Sequence, residues 1–171
     1  MSDLPPPPPS YGAPQFQPPS AGHELSGWWR RVGAAILDFL ILFVPFMILL
    51  FAVGSPDGGA VAVLVVLFFI GNVAYEVVLH ARTGQTVGKM VTGIRVVAKG
   101  SPRAPLGYSK SWGRFGAEFG IRFGLGIVSA VGALGGLLSL VGVVLMYLWP
   151  LWDSDKQTWY DKAADTIVVR T

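Results

Sequence analysis

Three long apolar stretches dominate the pattern of hydrophobic and polar positions along the 171-residue chain. They cover about residues 32–53, 59–80 and 123–152, and only Asp38 and Glu76 place a charge inside them. About 20 apolar residues are enough for a helix to cross the ~30 Å hydrocarbon core of a bilayer. The first two stretches therefore predict one membrane-spanning helix each. The polar turn at residues 55–59 connects them as an antiparallel pair.

The third stretch is too long for one ordinary span, and two interpretations remain open. It is either one tilted helix or a helical hairpin that turns at Gly135 and Gly136. Two short runs of β-branched residues, 94–97 and 166–170, favour the hairpin, because a lone strand needs a partner. They can pair only if the C-terminus returns to the side of the connector that precedes the third stretch.

The first 27 residues have a different composition from the rest. Eight of the 13 prolines precede Ser20, and such a segment cannot bury enough apolar surface to fold. We expect residues 1–27 to form a disordered, Pro-rich cytoplasmic tail and residues 28–171 to form the membrane domain. The tail is either a solvated segment or a ligand for a cytoplasmic partner domain.

Charge is scarce, and its distribution predicts an orientation. Charged residues make up 13% of the chain, against about 25% in an average soluble domain. Arg30 and Arg31 precede the first apolar stretch, and the turn at residues 55–59 contains no basic residue. By the positive-inside rule, the N-terminus and the basic connector face the cytoplasm from the plasma membrane. The connector bases, which we expect to meet anionic lipid headgroups, are Arg82, Lys89, Arg95, Lys99, Arg103, Lys110, Arg114 and Arg122.

The two intramembrane carboxyl groups are the candidate functional residues. Asp38 lies seven residues beyond Arg31, and Glu76 lies six residues before Arg82. Both carboxyl groups should therefore lie roughly 9–10 Å below the cytoplasmic surface, at the same depth. The predicted polar cluster, which opens toward the cytoplasm, consists of Arg31, Asp38, Asn72, Glu76 and His80.

Two interpretations of this cluster stay open. Paired carboxylates inside a membrane are typical of a cation or proton site, since their mutual repulsion raises one pKa. The alternative is a structural ion pair, in which the Arg31 side chain reaches Asp38.

Other chemistries lack the residues they need. With no cysteine and two histidines, neither thiol catalysis nor a protein-only zinc site of the usual kind is expected. No catalytic triad order or cofactor-binding motif is present, so we expect no catalytic residue, no metal and no cofactor, and a protein that is not an enzyme. The bases are dispersed near the membrane rather than grouped as a nucleic-acid interface, so no nucleic-acid partner is expected.

Three stretches together resemble the RDD family of small integral membrane proteins. They are residues 29–38 (WRRVGAAILD), 83–97 (TGQTVGKMVTGIRVV) and 156–169 (KQTWYDKAADTIVV). The resemblance covers residues 27–171 and assigns the family's Arg, Asp and Asp to Arg31, Asp38 and Asp161. It implies a multi-pass helical membrane protein, with transport or cation–proton exchange suggested for some members.

Asp161 joins the candidate residues through this resemblance. If the C-terminus returns to the cytoplasm, Asp161 lies near Arg31, Arg95 or Arg122; otherwise it is a cap or turn residue on the other side. Two functions are carried forward. One is an exchanger that works as a homo-oligomer, and the other is a scaffold that recruits a cytoplasmic partner through the Pro-rich tail.

Overall fold

The computed structural model describes residues 24–53, 57–101 and 104–171 and is mostly helical. The expected tail residues 1–23 lie outside this range. Two long apolar helices come first, α1 (Trp28–Ala52) and α2 (Gly58–Thr83). They are followed by a short helix α3 (Val87–Val91) and the strand β1 (Ile94–Ala98).

The second half of the chain contains a helical hairpin and a closing strand. Its helices are α4 (Gly107–Ser129) and α5 (Ala133–Leu148), and α5 continues into a 3₁₀ turn at Trp149–Leu151. A short helix α6 (Trp159–Ala163) then leads to the strand β2 (Thr166–Arg170). Three of the described helical segments are long and apolar enough to cross a membrane: Trp28–Ala52, Gly58–Thr83 and Ala133–Leu151.

The α4–α5 hairpin corrects the turn proposed for the third apolar stretch. The break falls at residues 130–132, where Gly132 has a φ of +95°, and not at Gly135 and Gly136, which lie inside α5. A left-handed φ favours glycine, which has no Cβ to clash. Gly135 instead permits close packing, because a Cβ there would lie 2.1 Å from the backbone oxygen of Val128 on α4.

The predicted strands pair with one another. β1 and β2 form an antiparallel two-stranded sheet with Val96 opposite Val168. The C-terminal strand therefore lies on the same side of the long helices as the connector. Leu25 lies within the range expected for the disordered tail, but it forms an isolated bridge with Val169 on the outer edge of β2.

The buried core of the described residues lies around this sheet rather than between the long helices. One face of the sheet packs against Ala34 of α1 and Leu106, and the other face holds Val97, Ile167 and Val169 beside Leu25. The outer faces of the long helices, by contrast, present large apolar side chains, such as Phe51, which is 75% exposed. Such a surface suits lipid and would be unfavourable in water.

Candidate functional site

A cavity of about 660 Å³ lies between the long helices and α4. One part of its wall is aromatic and includes Phe39, Phe68 and Phe119. The other part carries Asp, Glu, Lys and Arg side chains from four helices. These are Arg31, Asp38, Glu76, Lys89, Arg114, Glu118 and Arg122.

Asp161 is the centre of a buried ion cluster beside this cavity. Its carboxylate accepts from Nη1 of Arg31 at 3.0 Å and from Nη2 of Arg114 at 2.9 Å, and its side chain is fully buried. It also accepts from the backbone N–H of Thr158 at 3.0 Å, while the Thr158 hydroxyl accepts from the Asp161 N–H. This reciprocal capping box starts α6 and fixes the carboxylate in place.

The two arginines determine the charge of Asp161. Burial alone would raise the pKa of Asp161, but the Arg114 and Arg31 guanidinium groups lower it below its usual value. The Arg114 guanidinium also lies over the Tyr160 ring, 4.8 Å from its centroid. The two guanidinium groups have more N–H donors than one carboxylate can accept. Nη1 of Arg114 and both Nε and Nη2 of Arg31 have no acceptor among the described residues.

Asp38 of α1 accepts hydrogen bonds from Thr86 and Gly88 of the connector and does not pair with Arg31. Its carboxylate accepts from the Tyr75 hydroxyl at 2.6 Å, the Thr86 hydroxyl at 2.5 Å and the backbone N–H of Gly88 at 2.8 Å. The Tyr75 oxygen in turn accepts from the N–H of Val87 at 2.9 Å. The proposed Arg31–Asp38 ion pair is therefore wrong, because three uncharged donors already occupy Asp38 and the Arg31 guanidinium reaches Asp161.

Gly88 explains why α3 can approach Asp38 so closely. A Cβ at Gly88 would lie 2.3 Å from the backbone oxygen of Ala34 and 2.9 Å from the Asp38 carboxyl group. Only a glycine leaves room for the N–H of α3 to meet the carboxylate on α1.

Glu76, His80 and Lys89 form a third polar group, which we call the lysine triad. Nδ1 of His80 lies 3.9 Å from Oε1 of Glu76, on the preceding turn of α2. Nε2 of His80 lies 3.1 Å from Nζ of Lys89 on α3. The His80 side chain is 2% exposed, whereas Glu76 is 23% exposed and lines the cavity together with Lys89.

The remaining predicted residue, Asn72, also lines the cavity. The predicted cluster is thus divided into separate contacts: Arg31 with Asp161, Asp38 with α3, and Glu76 with His80. Sequence reasoning missed Arg114, which is one of eight similar connector bases, and Tyr75, which resembles an ordinary apolar helix residue. The one contact of the cluster that the sequence predicted is the one between Glu76 and His80, because residues four apart lie on the same face of a helix.

A charged cavity among helices long and apolar enough to cross a bilayer defines the chain as a helical membrane protein. It belongs to the RDD family, whose model matches residues 25–165. It is also similar to the uncharacterized protein YckC of Bacillus subtilis (strain 168), with 31% identity over 150 residues and 85% of each chain covered. No solved structure matches the chain at a significant level.

Proposed function

We propose that this protein is a multi-pass protein of the plasma membrane that exchanges protons for monovalent cations through the cavity, with Glu76 as the exchanging carboxylate. In this proposal it is not an enzyme, and its N-terminus and basic connector face the cytoplasm. The distribution of Lys and Arg supports that orientation, because the connector is rich in bases and the turn at residues 55–59 has none.

The observation that carries the proposal is the difference between Glu76 and the other nearby carboxylates, which are Asp38, Asp161 and Glu118. Glu118 pairs with Arg122 at 2.6 Å. Asp38 already accepts three hydrogen bonds, and Asp161 is held by two arginines. Glu76 lines the cavity, and its one salt-bridge contact among the described residues is the 3.9 Å approach of His80. A carboxylate with unoccupied oxygens in a membrane cavity is available to bind a cation.

Purified protein in liposomes tests the exchange. An outward-directed proton gradient should be dissipated when Na⁺ or K⁺ is added outside, as reported by a pH-sensitive dye trapped inside. The Glu76→Gln variant should lose this signal, since an amide neither ionises nor binds a cation comparably. Asp155→Asn is the matched control, because Asp155 pairs with Lys99 and does not line the cavity. Equal flux in the wild type and Glu76→Gln would contradict the proposal.

We further propose that the protein works as a homo-oligomer in contact with anionic lipid headgroups and binds no nucleic acid. The outer faces of the long helices carry exposed apolar side chains, which offer surface to a second copy as well as to lipid. The connector bases favour anionic lipid by about 1 kcal/mol each. Chemical crosslinking in membranes, compared with crosslinking in dilute detergent, measures the assembly.

The second candidate function is that of a scaffold that recruits a cytoplasmic partner through its Pro-rich tail. The run Pro5 to Pro9 supports it, because extended Pro-rich segments are ligands for aromatic-lined grooves. Deletion of residues 1–23 preserves Leu25 on β2 and tests this function separately. Loss of a co-purifying partner together with unchanged flux would assign the tail to recruitment alone.

A further inference from the structure

The contact between Lys89 and His80 is unusual because both groups are nitrogen bases. A nitrogen–nitrogen hydrogen bond holds one proton between the two atoms, 3.1 Å apart here. A charged Lys89 can donate only to a neutral His80 whose Nε2 lone pair is free. That tautomer carries its hydrogen on Nδ1, the atom that faces Glu76 at 3.9 Å. The His80 ring therefore lies between the Lys89 ammonium, to which it is hydrogen-bonded, and the cavity carboxylate, which it approaches without a hydrogen bond.

The surroundings of Lys89 disfavour its charge. Burial lowers the pKa of Lys89 and the nearby Arg114 guanidinium lowers it further, against the opposing effect of carboxylates. The groups that face it are His80 and Glu76 on α2, Arg114 and Glu118 on α4 and Asp38 on α1. Its one hydrogen-bond partner among the described residues is His80, so no carboxylate contacts the ammonium directly.

We propose that Lys89 is the internal counter-cation of the exchange site, and that it releases its proton when a Na⁺ or K⁺ ion binds at Glu76. The inference rests on the exchange function proposed above and adds the group that couples the two ions. An N–H bond of the ammonium breaks, its electron pair stays on nitrogen, and a water molecule in the cavity takes the proton. One positive charge enters and one leaves, so the net charge of the site does not change.

This exchange avoids a large electrostatic cost. Addition of a further cation to a site of low dielectric, beside Lys89 and Arg114, would meet strong repulsion. Departure of the lysine proton removes that repulsion. The neutral amine that remains keeps two N–H bonds and can still donate to Nε2 of His80, so the contact between Lys89 and His80 persists in both states.

Proton release on cation binding tests the inference. NaCl is added to the full-length protein in weakly buffered detergent solution, with choline chloride to hold the ionic strength, and released protons are counted with an indicator dye. We expect about one proton per bound Na⁺ for the wild type and almost none for Lys89→Met, whose cation affinity should no longer rise with pH. Lys99→Met is the matched control, since Lys99 pairs with Asp155 away from the cavity, and it should release protons as the wild type does.

A second variant keeps the test decisive if Lys89→Met does not fold. Lys89→Arg retains a charge that does not dissociate, so it should bind Na⁺ about tenfold more weakly or worse and release no proton. Normal proton release by either folded Lys89 variant would overturn the inference while leaving the exchange function intact. A wild-type protein that releases no proton and shows no flux would instead overturn the proposed function itself.

Discussion

The Arg31 guanidinium, at the start of α1, donates to the carboxylate of Asp161 on α6, 130 positions later in the sequence. Arg114 of α4 binds the other carboxylate oxygen. One carboxylate therefore joins three helices, α1, α4 and α6. Removal of one member of a buried ion cluster leaves the others charged and uncompensated, which costs more than the intact cluster contributes.

We expect Asp161→Asn to be strongly destabilising. The amide leaves Arg31 and Arg114 without a counter-charge, and the expected loss in the free energy of unfolding is about 3–5 kcal/mol. Thermal unfolding in detergent measures it. Asp165→Asn is the control, because the Asp165 side chain is 62% exposed and its Lys110 partner is also partly exposed. Comparable losses from the two variants would show that the Asp161 cluster contributes little.

The lowered pKa of Asp161 predicts that the free energy of unfolding decreases at acidic pH. The pKa of Asp161 is lower in the folded protein than in the unfolded chain, where it is about 3.9. Its contribution is therefore fully present above about pH 4 to 5 and is lost as the pH falls through the folded value. The gap in melting temperature between the wild type and Asp161→Asn should narrow over that acidic range. A gap that stays constant down to pH 2 would be inconsistent with this shift.

Gly88→Ala should detach α3 from α1. Its Cβ would meet the Ala34 backbone oxygen at 2.3 Å, and backbone cannot move aside cheaply. We expect a loss of about 1–3 kcal/mol and faster hydrogen exchange at α3. Gly116→Ala is the matched control, since nothing lies within 4 Å of a Cβ there, and alanine should be neutral or stabilising by up to about 1 kcal/mol. The prediction fails if both variants behave alike.

Cysteines at Val96 and Val168 should form a disulfide under mild oxidation. The two residues are directly opposed, and the N–H of Val96 donates to Gly84 and not to β2. They are therefore a non-hydrogen-bonded pair, whose side chains approach most closely. The chain has no cysteine of its own, so peptide mass mapping is unambiguous. Cysteines at Val96 and Ile167 belong to opposite faces of the sheet and should stay reduced.

The sequence pattern predicted the elements that are determined by residues close together in the chain, namely the long apolar helices and the two strands. The apolar stretches identified the first two spanning helices within a few residues, because composition alone decides whether a helix suits lipid, but the third spanning segment begins ten residues later than the third stretch, at Ala133. The runs at 94–97 and 166–170 predicted the sheet, since β-branched residues need a paired strand. The break at Gly132 was missed because several glycines lie in that stretch, and only the packing of Gly135 on Val128 selects among them.

The cluster was predicted less completely, for a physical reason. Helical spacing places residues on a face, but it does not say which distant segment covers that face. The seven-residue spacing puts Arg31 and Asp38 on one face of α1. In the structure, however, Arg31 binds Asp161 of α6, and Asp38 accepts from Gly88 of α3. The partners Arg114, Tyr75 and Thr86 come from other elements, and only the tertiary structure selects them from similar residues.

The ion cluster at Asp161 also has a consequence for the order of assembly. Arg31 is synthesised 130 positions before the carboxylate that neutralises it, and β2 comes later still. Contacts of such sequence separation form slowly. During synthesis Arg31 therefore stays without its carboxylate partner until residue 161 has been made, and the sheet can close only after that.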